Sequence, residues 1–151
     1  MDIRERGTWG QRRASWTWLT VAIVLHLVVS VAHGSVHAAA HVLLSLAARL
    51  FVYVVITAGP LVGLALTWAN RRLGSLVIAA TMMGALVFGA ANHFIIAGPD
   101  HVGQVEAQWQ LPFGVSAVLL ALTEAMGVGL AIAMVRTTAS LDGRPHDRSP
   151  L

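Results

Sequence analysis

Apolar residues run almost unbroken through four stretches of the chain, and polar residues gather between them. A helix needs about 20 such residues to cross a hydrocarbon core about 30 Å thick. The first stretch begins near Trp16 and runs through TVAIVLHLVVSVAHG. The second is roughly Leu50 to Ala69, the third roughly Leu73 to Ala97, and the fourth roughly Leu111 to Val135. This pattern predicts an all-α fold, an integral membrane four-helix bundle occupying residues 16–136. Residues 1–15 read as a cytoplasmic N-terminal tail. Residues 137–151, TTASLDGRPHDRSPL, read as a disordered cytoplasmic tail, because Gly, Pro, Ser and charge leave no apolar face to bury.

An even number of crossings puts both termini on one side, and the arginines say which. Arg4, Arg6, Arg12 and Arg13 precede the first span, and Arg71 and Arg72 join the second to the third. Arg136, Arg144 and Arg148 follow the fourth, and only Arg49 lies on the other side. Basic flanks stay in the cytoplasm, so the expected orientation is N-in/C-in, as a multi-pass protein of a bacterial or archaeal inner membrane. The first segment also has the basic start and small residues of a signal peptide, with cleavage after Ala32. Its apolar run is long for a signal, and the expectation is an uncleaved first span.

Composition agrees. The chain is 56% hydrophobic and 11% charged, whereas soluble domains carry about 25% charged residues. The net charge of +3 does not imply a nucleic-acid partner, since the arginines flank spans instead of forming a patch. The expected partners are the lipid bilayer and either further copies of the chain or a larger membrane complex. With no cysteine, disulfides and thiolate metal sites are excluded.

The polar residues inside the spans carry the candidate chemistry. Three of the seven histidines stand in HGSVHAAAH, at His33, His37 and His41. At about 100° per residue, His26, Ser30, His33 and His37 form one stripe, with His41 beside it if the helix continues past Gly34. In the third span Thr81, Ala85, Gly89 and His93 recur every four residues, a small and polar face that should look into the bundle. His33 and His93 reach similar depths on different helices. Asp100 and His101 follow in the loop above them, with Glu106 further along.

Imidazole is an ordinary ligand for Zn, Cu and Fe, and two histidines at i and i+4 can reach one ion. The leading expectation is therefore a transition-metal site in the outer half of the bundle. Its ligands are drawn from His33, His37 and His93, with His41, Asp100 and His101 as further candidates. A four-span bundle with histidines on different helices also superficially resembles cytochrome b561-type proteins. That resemblance implies haem b held between His33 or His37 and His93; no second pair exists for the second haem usual in that family. A third reading is a non-catalytic small membrane subunit.

His26 lies about 14 Å along the first span, and Glu124 about 20 Å along the fourth. Ionisable residues near a bilayer midplane are expensive and need partners. Glu124 is therefore expected to face the bundle interior and meet His26, its natural partner, or another polar group, as a structural pair or as a proton relay or support beneath the outer site. Gly59 and Gly63, beside Pro60, read as close-packing positions of the second span. No catalytic residue is assigned.

Overall fold

The computed structural model describes the backbone of residues 3–142 and the side chains of residues 15–138. The part of the expected C-terminal tail beyond residue 142 lies outside the described residues. Four long helices make up the fold: α1 (Ile3–Ala39), α2 (Leu46–Ala69), α3 (Arg71–Ile95) and α4 (Ala107–Asp142). Each contains a segment long and apolar enough to cross a membrane. The described residues form no strand. Helix runs into both segments read as tails, from Ile3 into α1 and through Asp142 in α4.

Several ionisable residues lie inside the bundle, and large apolar side chains cover its flanks. Val28, Val31, Tyr53, Trp68 and Leu122 are exposed on its flanks, while His26, His33, His93 and Glu124 are buried. Water-soluble domains seldom bury so many ionisable side chains while exposing so many large apolar ones.

The helices pack in the order α2, α3, α4, α1, and α1 meets α2 only sparsely. α2 and α3 form a tight hairpin around Asn70, whose side chain accepts from the Leu73 nitrogen (2.9 Å) and caps α3. Small residues let these two backbones approach. A Cβ added at Gly63 would come 2.5 Å from Ile78 Cγ1, and one at Gly74 would overlap the backbone nitrogen of Thr67. Gly59 is held equally close to Thr81. These glycines thus act in helix packing.

At the end that holds the termini, Leu19, Ile23, Ile78, Met82, Val128, Ala131 and Met134 make the main apolar core. At the opposite end Ala40, Val105 and Phe113 form a second one. There Val102 and Val105 of the loop between α3 and α4 pack against Val36 and Ala40 at the end of α1 and against Trp109 and Phe113 of α4.

Two helices depart from regular α geometry beside the polar residues. α2 has a π-helical stretch at Val52–Ala58, immediately before Pro60. α3 ends in a π-helical turn, Ala91–Ile95, that carries His93. Such turns are rare and recur at functional sites.

Candidate metal centre

Three histidines from two helices converge at the loop end of the bundle. His33 and His37 stand one turn apart on α1, where i and i+4 share a face. His93 comes from the π-helical end of α3. His33 Nε2 lies 3.2 Å from His93 Nε2 and 3.1 Å from His37 Nε2. Together the three rings offer one donor atom each in a group able to hold a metal ion. Nitrogens bound to one zinc at 2.0–2.1 Å, in tetrahedral directions, lie about 3.3 Å apart. The two separations from His33 are close to that edge length, and all three donor atoms lie within 4.8 Å of one another.

The surroundings fix the tautomers of two rings. The Ser116 hydroxyl donates to the Phe113 carbonyl (3.0 Å), which uses its single hydrogen. The Ser116 oxygen, 2.8 Å from His33 Nδ1, therefore accepts, and His33 Nδ1 carries the hydrogen. His93 Nδ1 lies 3.1 Å from the Asp100 backbone carbonyl, which can only accept, so it too carries a hydrogen. In the neutral rings both Nε2 atoms then present lone pairs, directed toward the same place. A shared proton could join two of the three Nε2 atoms; a metal ion could join all three. Histidine ligands in metal sites characteristically donate their other ring nitrogen in this way.

Asp100 stands at the edge of the cluster. Its Oδ1 is 3.1 Å from His37 Nε2 and 3.3 Å from His93 Nδ1, close but without hydrogen-bond alignment. Its negative charge balances part of any cation held there. Phe113, fully buried on α4, covers the other side, with ring centroids 5.1, 4.9 and 5.3 Å from those of His33, His37 and His93.

Two sequence candidates are not brought in. His41 sits just past the end of α1 with φ 53°, in the left-handed region, and is exposed. The chain turns there, so the His33–His37 stripe stops before reaching it. His101 Nδ1 accepts from the Gly103 nitrogen (3.0 Å) and caps the short 3-10 turn Val102–Gln104. Glu106 is exposed and accepts from Gln108.

The expected His26–Glu124 pair does not form. His26 Nε2 donates to the Ile56 carbonyl at 3.1 Å. The reason lies in Pro60, which has no N–H to offer the carbonyl four residues before it. That freed carbonyl attracts His26 instead. Glu124 is 1% exposed and its Oε1 has no hydrogen-bond partner.

Ser116 and Phe113 were not singled out from the sequence. A signal existed for the first: Ser116, Leu120 and Glu124 are spaced by four on α4, which puts the serine on the face that carries the buried glutamate.

A cavity of about 510 Å³ joins the cluster to Glu124. Its walls include His33, His37, His93 and Asp100 at one end, and Leu120 and Glu124 toward the middle of the bundle. The volume is in the usual range for small-molecule pockets. Comparison with protein-family models, curated proteins and solved structures gave no match.

Proposed function

We propose that the chain is a multi-pass membrane protein that binds one transition-metal ion through His33, His37 and His93. The carrying observation is the convergence of three Nε2 atoms, two of them held as lone-pair donors by Ser116 and by the Asp100 carbonyl. Imidazole-only donors with a nearby carboxylate suit Zn, Cu or Fe. Three protein ligands leave a fourth position for water or another small ligand, as in catalytic zinc sites. A metal in such a site supplies Lewis acidity and lowers the pKa of bound water.

Against haem stands the contact among all three rings. A porphyrin would have to slot between His33 and His93, where His37 and Phe113 already pack. The orientation read from the arginines places the metal in the outer half of the bundle, with both termini in the cytoplasm.

Elemental analysis of the purified protein tests the metal reading. The expected result is about one ion per chain, lost in His93→Ala, with no Soret band. Absence of metal after incubation with Zn, Cu and Fe salts would overturn it. Reporter fusions at residue 103 and residue 145 test the orientation; an active cytoplasmic reporter at 103 would reverse it.

A further inference from the structure

The cavity beside the histidines also has a mouth and an inner end. Its mouth lies between α1 and α2, the neighbouring helices with the sparsest packing. Val31 of α1 and Tyr53 of α2 both line the cavity, and both are largely exposed on the bundle's flank, at 71% and 66%. The opening therefore faces sideways, where lipid would lie in a spanning bundle. Leu27 and Ile56 continue the apolar wall inward. Glu124 closes the inner end, with a carboxyl oxygen that has no partner.

A buried polar group without a hydrogen bond is costly, and such groups in native proteins call for an explanation. Ser30 of α1 and Thr57 of α2 also line the cavity, but no donor reaches Glu124 Oε1: His26 is turned to the Ile56 carbonyl and the Thr57 hydroxyl to the Val52 carbonyl. The last torsion of a glutamate is soft, so its carboxyl can turn toward a molecule in the cavity.

We propose that this cavity binds a membrane-borne molecule with an apolar chain and a terminal hydroxyl, taken up sideways between α1 and α2 and hydrogen-bonded to Glu124. The chemistry selects the head group. A hydroxyl both donates and accepts, so it matches a carboxyl in either protonation state. An ammonium or a carboxylate would be stripped of water against Leu27, Ile56 and Leu120 at high cost. A plain alkane would leave Glu124 unpaired. The proposal rests on the cavity and Glu124 and does not depend on the metal, although the histidine cluster forms the far wall of the same space.

The test uses the full chain in nanodiscs, stripped with EDTA so that the metal reading and this one fail separately. The probes are a photoreactive hexadecanol and the corresponding photoreactive hexadecane, with labelled residues mapped by mass spectrometry. The alcohol should label Val31, Tyr53 and Ile56 and be displaced by excess hexadecanol, while the alkane should not label them selectively. Glu124→Leu should lower the alcohol's apparent affinity by roughly tenfold, the contribution of one buried hydrogen bond. Glu124→Gln, which keeps an acceptor and a donor, should retain binding. Gly34 lines the cavity and has open space around its missing Cβ, so Gly34→Phe should fill the pocket and abolish labelling without unfolding the bundle. Equal labelling by alcohol and alkane, labelling confined to flank residues such as Leu119 and Leu122, or alcohol binding unchanged in Glu124→Leu or in Gly34→Phe would each overturn the proposal.

Discussion

His33 Nδ1 donates to Ser116 Oγ across 2.8 Å and 83 residues of sequence. This one contact ties α1 to α4 at the histidine cluster and decides which ring nitrogen of His33 is free to bind a metal. A serine outside the cluster thereby helps to define the proposed metal site.

Ser116→Ala should therefore weaken metal binding without abolishing it. Loss of a group that orients a metal ligand typically costs 10–100-fold in affinity. A competition titration against a chromophoric zinc chelator measures this. An unchanged affinity would show that His33 does not ligate through Nε2.

The two groups of histidines should separate cleanly. His33→Ala, His37→Ala and His93→Ala should each lower the bound metal well below one per chain. His41→Ala and His101→Ala should leave it unchanged, because the first is exposed past the end of α1 and the second caps a turn. Elemental analysis of all five variants checks the assignment. Metal loss in His41→Ala would mean that the helix continues further than described.

Metal affinity should fall as pH falls. Imidazole ligates only in its neutral form, so protons and metal compete for the same nitrogens, and binding releases protons. The chelator competition, repeated from about pH 8 to about pH 5, should show weakening that accelerates through the range where histidines protonate. A flat profile would point to carboxylate or carbonyl ligands instead.

His26→Leu should destabilise the bundle while leaving metal content intact. It strands the buried Ile56 carbonyl that Pro60 cannot serve, and an unsatisfied buried group costs about 1–3 kcal/mol. Thermal unfolding in detergent, read beside metal stoichiometry, distinguishes the two effects. If Pro60→Ala is made in the same background, the restored N–H should recover part of the loss.

Gly74→Leu should damage the α2–α3 hairpin, since even a Cβ at that site would overlap the Thr67 backbone. Overpacking of this kind costs about 1–3 kcal/mol or more. Gly34→Ala, which meets open space, is the matched control and should be near neutral.

The four long apolar helices were legible because a helix able to cross a bilayer must meet one simple requirement, a long apolar run, that hydropathy reads directly. His33, His37 and His93 were legible for a related reason: helical spacing fixes which residues share a face, and the Thr81–Ala85–Gly89–His93 ladder marked the face turned inward. What spacing cannot show is how the chain behaves where helices end. His41 drops out because the backbone turns left-handed there, and His101 because a local amide claims its ring. The His26–Glu124 pairing failed for another reason. Matching depths suggested two partners, but a proline on a third helix released a backbone carbonyl that side-chain reasoning did not count.

The distribution of the centre over the chain has a consequence for how it is made. All three histidines lie before residue 94, and their ring partners Ser116 and Phe113 lie on α4, the last helix among the described residues. During synthesis the ligands are thus laid down first, while the residues that orient and cover them arrive only when the fourth helix joins the bundle. Until then His33 is free to choose either tautomer and the cluster is uncovered on the Phe113 side. A chain halted after α3 would carry all three histidines without the residues that orient and cover them.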